Sequence, residues 1–444
     1  MTSRAVRVAS ATSIALVLFV AGALGPLRSD PSSGSQPRVQ PGAGSLLAPA
    51  AAAGDLDDTI GALQEWLRSE PDDARGLSTL GLAYIQKARI STNPSFYPKA
   101  QVVLRRSIEI QPQNNFEAMV GLGALGLARH DFQGALEWGG RAKEFNPHNA
   151  QVRGILGDAY LELGRYKEAE REFQNMIDLR PDLSSYARVS YSRELRGDTS
   201  GAIQAMRLAH SAAGDTSDKA WAAYQLGELF FNSGNYDRAR AFYREGAGLD
   251  PVSASPEVGL AKVEAATGGV DHAIRRLRRV TRRQPFSEYL TLLGDMLDAA
   301  GRQTEAVAQY ELANAITDLY RSNGVNVDLE QALFDADNGH ARRALRVARA
   351  EYERRRSVHA ADAFAWALYA NGDYRSAARY SREALRLGTR SALFHWHAGM
   401  IAAELGKRDE AIEHLSTALD INPHFSFRHA PVATSVLQEL EASR

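Results

Sequence analysis

"LELGRYKEAEREFQNMIDLRP" occupies residues 161–181, and its layout returns as "FFNSGNYDRARAFYREGAGLDP" at 230–251 and as "AAELGKRDEAIEHLSTALDINP" at 402–423. In each, a Gly stands five residues before an Ala and a Pro twelve after it, while most other positions differ. Aligned on that Ala, the chain gives Ala100, Ala135, Ala169, Ala202, Ala239, Ala273, Ala306, Ala344, Ala377 and Ala411, spaced by 33 to 38 residues and mostly near 34. Such a period marks a stacked repeat, in which each unit buries its apolar face only against its neighbours. Pro112, Pro147, Pro181, Pro251, Pro285 and Pro423 follow their Ala by twelve residues. Gly123, Gly157, Gly227, Gly294 and Gly399 precede theirs by twelve, and Gly81 holds the equivalent place ahead of an insertion.

One unit, "NAQVRGILGDAYLELGRYKEAEREFQNMIDLRP", reads as two antiparallel helices. Val152, Ile155, Leu156, Ala159, Tyr160 and Leu163 form an apolar stripe at helical spacing that Gly164 ends. Ala169, Phe173, Met176 and Ile177 share a face of the second helix, and Pro181 stops it because proline cannot continue a helix interior. Gly157 and Ala169 are then the places where the two backbones come closest. A larger side chain there is expected to cost about 1–3 kcal/mol.

These residues resemble the tetratricopeptide repeat, whose pattern joins Leu-Gly, an aromatic, a small residue, a second aromatic and a closing Pro. Leu156, Gly157, Tyr160, Ala169, Phe173 and Pro181 match it in one unit, and Leu226, Gly227, Phe230, Ala239, Tyr243 and Pro251 in another. The resemblance implies an all-α fold, a right-handed α-solenoid superhelix of about ten helix-turn-helix repeats with terminal capping helices. There are departures: Ser190 stands where Gly is usual, Gly214 where Pro would close the unit, and the units around Ala306, Ala344 and Ala377 have no closing Pro. Their second helices are expected to run on. Seven extra residues between Tyr84 and Ala100 read as an expanded turn.

The array is bounded at 72–423. Residues 55–71 read as an orphan helix with Leu63, Trp66 and Leu67 facing the first unit, and 424–444 as a capping helix with Ala433, Val436, Leu437 and Leu440 on one face. A terminal repeat would otherwise expose its stacking surface. Residues 1–27 have the layout of an export signal, with Arg4 and Arg7 ahead of an apolar stretch at 8–27; cleavage and retention as a membrane anchor both remain open. The Pro-, Ser-, Gly- and Ala-rich stretch 28–54 reads as a disordered linker. The expected location is therefore extracytoplasmic, secreted or held at the outer face of the cytoplasmic membrane.

In the tetratricopeptide family the first helix of each unit lines the concave face, where ligands lie. Carried over by register, the ligand-facing positions include Asp158, then Tyr191 and Glu194, then Tyr224, Glu228 and Phe231, then Asp295 and Asp298, then Trp366 and Tyr369, and Trp396. Lys262 falls in the same register. Such a groove is acidic in the middle and aromatic on either side, suited to a peptide with apolar anchors and some basic residues. Tyr224, Trp366 and Trp396 are the expected anchors. The Lys and Asn clamp by which chaperone-tail receptors of the family hold a terminal carboxylate has no counterpart at these positions.

Composition sets the remaining bounds. With 44% apolar and 24% charged residues the 444-residue chain is neither disordered throughout nor fibrous, and a formal charge of −1 gives no global attraction to nucleic acid. The chain has no Cys, which removes disulfides and thiolate chemistry. Arg-rich second helices, 272–284 and 341–356, read as solvated faces paired with nearby acids, and the histidines at 359, 395, 397, 414, 424 and 429 as packing or surface residues. No HExxH, GxSxG or P-loop occurs, and the GxGxxG within "VGLGALG" at 120–126 lies inside a helical repeat, not between a strand and a helix, so its glycines favour packing. The expectation is a non-enzymatic, cofactor-free scaffold of the cell envelope that binds a partner protein or peptide in its groove and no nucleic acid. The alternative is an extracytoplasmic accessory protein that captures a small ligand or metal for a transporter.

Overall fold

A computed structural model describes residues 56–442, so the expected export segment and linker lie outside the described residues. The described residues form twenty-two α-helices and no strand. The chain is an all-α solenoid. Among the described residues no helix is long and apolar enough to cross a membrane.

The repeat grammar has a steric basis. Helix α6 (Ala150–Glu162) starts at Asn149, whose side chain accepts from the Val152 N–H at 3.0 Å. The turn to α7 (Tyr166–Leu179) passes through Gly164 at φ +77°, a left-handed conformation that glycine takes without cost. A Cβ on Gly157 would lie 2.3 Å from the Phe173 ring; at Gly227 it would lie 2.4 Å from Tyr243, and at Gly294 2.4 Å from Tyr310. In these three repeats the aromatic ring of the second helix sits in the notch left by the Gly of the first, and at Gly81 and Gly399 the leucines Leu104 and Leu415 fill the same place. Ala135, Ala169, Ala239, Ala273 and Ala411 are 0% exposed, and at Ala135 the approach is close enough that a Cβ on Gly126 would lie 2.8 Å from its backbone nitrogen.

The described residues fall into two compact units, one of 56–185 with 319–326, the other of 186–318 with 327–442. In the smaller, Met119, Val120, Leu127, Phe132, Ile155 and Leu156 belong to one core. Its first helix, α1 (Leu56–Ser69), buries Leu63 completely, and Trp66 Nε1 donates to Asp73 at 2.9 Å. The expected expanded turn is corrected: the extra residues lengthen α2 (Ala74–Ser91) to 18 residues. Nothing between Tyr84 and Ser91 breaks a helix, and the chain turns only at Thr92, φ 54°, just before Pro94.

In the larger unit the missing prolines act unequally. Helix α15 (Gln303–Ser322) does run on, to 20 residues, whereas α17 (Ala341–Arg354) has 14 and α19 (Tyr374–Ala384) only 11. For these two the expectation of longer helices fails. After α19, Gly388 at φ +74° turns the chain without a proline. Within this unit, repeats far apart in sequence touch: Asn422 Nδ2 donates to the Phe231 carbonyl at 2.9 Å and Tyr236 Oη to Asn422 Oδ1 at 2.6 Å, across 191 and 186 residues.

Candidate functional site: the inner face of the larger unit

The register positions expected to line the inner face stand on the first helices of successive repeats: α8 (Leu183–Leu195), α10 (Thr216–Asn232), α12 (Ser255–Ala266), α14 (Ser287–Ala299), α16 (Asp328–Asp337), α18 (Val358–Ala370) and α20 (Ala392–Glu404). Its last part is filled by the chain itself. Trp366 and Trp396 are 2% and 0% exposed, so the expectation of these rings as open anchors is corrected. The Trp366 ring stacks on His397 at 4.2 Å and donates its N–H to Asp337 at 2.6 Å, while Trp396 stacks on His429 at 5.2 Å. His429 begins the final helix, α22 (His429–Ala442). Burial, with His397 and Arg428 nearby, pushes its imidazole well below the usual histidine range, so it packs as a neutral ring.

The residue before it completes the fill. Arg428 places its guanidinium 3.5 Å from Asp298 and 3.8 Å from Asp295, and donates to Tyr310 Oη at 3.2 Å. Phe427 packs against the core formed by α12 to α15. Two acidic positions expected to meet a partner therefore meet a Phe-Arg-His segment of this same chain.

Farther along the face the charges do not balance in this way. Lys262 donates to both carboxylate oxygens of Glu228, at 2.7 and 3.0 Å, and lies 4.5 Å over the Phe231 ring. Tyr243 Oη donates to Glu228 at 2.5 Å. Glu288 and Glu330 extend the acidic group, yet both carboxylate oxygens of Glu330 are enclosed and have no hydrogen-bond partner. Burial, then the neighbouring Glu228 and Glu330 carboxylates, pushes the Glu288 carboxyl up to about 7 against the partial relief of Lys262. Glu194 is likewise pushed up to about 7, by burial first and Glu228 second, despite a hydrogen bond from Asn232. Tyr224, 4% exposed, packs 5.8 Å from Tyr243, so it too is an interior ring and not an open anchor.

The other expected positions are scattered. Tyr191 Oη lies 3.1 Å from His359 Nε2, whose pKa burial lowers to about 4. Tyr369 is half-buried and stacks on Trp366 at 4.5 Å, and Asp158, half-buried, belongs to the smaller unit. The Arg-rich helices are ion-paired in part: Arg276 bonds Glu257 and Glu264, Arg278 bonds Glu305, Arg343 bonds Asp335, and Arg354 and Arg355 bond Glu351. His395 and His414 approach at 3.0 Å, but among the described residues no group of three or more His, Asp or Glu could hold a metal ion.

Family models of the tetratricopeptide repeat match residues 126–189, 222–253, 258–318 and 363–424. The chain belongs to the tetratricopeptide repeat superfamily. Proteins built on these repeats generally bind protein partners and are generally not enzymes. "Cellulose synthase 1 operon protein C" of Komagataeibacter xylinus is 25% identical over 288 residues, 61% of this chain and 19% of that protein. "Anaphase-promoting complex subunit 3" of Dictyostelium discoideum is 33% identical over 96 residues, 22% of this chain and 10% of that protein. The chain thus spans 19% and 10% of the lengths of these relatives. Among solved structures, yeast Tom70 is similar at 15% identity, covering 90% of this chain and 88% of that one with a TM-score of 0.39. A tetratricopeptide repeat protein of Parabacteroides merdae is similar at 16% identity, covering 54% and 97% with a TM-score of 0.40.

Glu288 and Glu330 escaped the sequence reading. Both lie on first helices, the elements that the family resemblance assigns to the concave face, and that placement is the signal the sequence offered for them. The in-folded Arg428 had no such signal, because a terminal segment carries no repeat register to place it.

Proposed function

We propose that this protein is a non-enzymatic scaffold that binds an extended segment of a partner protein along the inner face of its larger unit, at the extracytoplasmic side of the cell envelope. The observation that carries the reading is Arg428, held 3.5 and 3.8 Å from Asp298 and Asp295 with Phe427 and His429 packed on either side. The face already accommodates a basic and aromatic polypeptide segment, and aromatic and Arg side chains are those that dominate protein recognition. The extracytoplasmic placement rests on the sequence of residues 1–27.

Photocrosslinking in intact cells tests the reading. A benzoylphenylalanine placed at half-buried Glu194 on the unfilled stretch of the inner face is expected to capture a specific protein, and the same group at exposed Arg279 is not. Equal capture from both positions, or capture from Arg279 alone, refutes binding through the inner face. Protease added to cells with only the outer membrane opened is expected to digest the protein; protection until the inner membrane is broken refutes the placement.

A further inference from the structure

The inner face between α8 and α16 contains more acid than its own bases neutralise. Glu194, Glu228, Glu288 and Glu330 stand on α8, α10, α14 and α16, and Lys262 of α12 is committed to Glu228 at 2.7 Å. Glu330 is left with both oxygens enclosed and without a donor. A buried carboxylate without a partner is strongly disfavoured, so natural proteins pair such groups, protonate them or fill the site from outside. A second group of unsatisfied atoms lies on α10. Gln225, 7% exposed, has an amide nitrogen with no acceptor, and it shares a helix face with Glu228 three residues on. One turn earlier on that face, the indole N–H of Trp221 also lacks an acceptor.

The unmet needs are of two kinds. Glu330 needs a donor, whereas Gln225 and Trp221 need acceptors. A polypeptide supplies both, a cationic side chain for the carboxylates and main-chain carbonyls for the amide and indole. The same face shows the pairing elsewhere, where Arg428 lies against Asp295 and Asp298. We propose that Glu288 and Glu330, with Gln225 and Trp221 beside Glu228, form a subsite for a Lys or Arg side chain of the partner polypeptide. This inference rests on the inner-face reading above and adds the chemistry that the face selects.

The test uses the full chain and an array of random dodecapeptides. Bound peptides are expected to be enriched in Lys or Arg at one position, and replacing that residue with norleucine or citrulline is expected to weaken binding roughly tenfold. The variant Glu288→Gln/Glu330→Gln, checked for unchanged helicity, is expected to bind the basic and neutral peptides alike. Binding without a basic preference, or equal binding of the norleucine or citrulline peptide by the unmodified protein, overturns the subsite and leaves the inner-face reading standing. A preference that survives in the folded variant also overturns it. No binding to any peptide removes both.

Discussion

Two stretches of one face use acid in opposite ways. At α14 and the chain's end, Asp295 and Asp298 are matched by Arg428, Trp366 is matched by Asp337, and Trp396 is covered by His429. Between α8 and α16, Glu330 has no donor and Glu194 and Glu288 are pushed up to about 7. The repeat scaffold is the same in both, so the difference lies in what the chain supplies to fill the face. Where it supplies its own terminus the face is a core; where it supplies nothing, Glu330 is left without a donor.

The sharpest way to break that contrast is at its filled end. Trp396 is 0% exposed and packs against His429, Phe425 and Trp366. Trp396→Ala is expected to destabilise the protein by about 3–5 kcal/mol, the range for truncating a large buried aromatic ring. Denaturant unfolding followed by circular dichroism reads it. A loss below about 1 kcal/mol, the level of an ordinary surface position, would mean that the terminal segment does not form a core there.

The sequence disclosed the filled and unfilled stretches to different degrees. Gly157, Gly227 and Gly294 against Phe173, Tyr243 and Tyr310 could be read directly, because a repeating contact leaves a repeating pattern. Acidic positions such as Glu228, Asp295 and Asp298 followed from register. Register places a side chain on a face without saying whether the face is open, and openness at Trp366 and Trp396 is decided by a segment some 30 to 60 residues downstream, 425–429. That contact occurs once, so no periodicity announces it. The α2 extension was missed for a related reason: an insertion without Gly or Pro before Pro94 fits a longer helix as well as a wider turn.

At the unfilled end a pH-dependent effect of intermediate size is expected. The folded Glu288 carboxyl titrates near 7, above its ordinary value of 4.5, so the folded state binds more protons than the unfolded state between those values. Its contribution to stability is full below pH 4.5 and is lost as pH rises through 7. Glu288→Gln stays neutral throughout. It is expected to be more stable than the unmodified protein at pH 8 by on the order of 1–2 kcal/mol, with the gain vanishing toward pH 4.5. His359 provides the opposite slope: its folded pKa near 4 means that stability is lost as pH falls from 6.5 toward 4, in both proteins alike. Melting curves from pH 4.5 to 8 separate the two. A Glu288→Gln variant with no gain at pH 8 would show that the carboxyl is already satisfied and would erase the contrast between the stretches.

The smallest effect is expected on the Arg-rich face, which controls for charge in general. Arg275 and Arg279 are exposed on α13 (Val270–Arg283), whereas Arg276 between them is fastened to Glu257 and Glu264. Exposed charges lose little on removal, because water and salt already screen them. Arg275→Ala/Arg279→Ala is therefore expected to alter stability by less than about 0.5 kcal/mol and to leave peptide selection on the array unchanged. Arg276→Ala strands two partly buried carboxylates and should cost more than the pair of exposed substitutions together. If the exposed pair instead shifted the basic preference, long-range field would be selecting the peptide, and the Glu288 and Glu330 carboxylates of the inner face would lose their distinctive role.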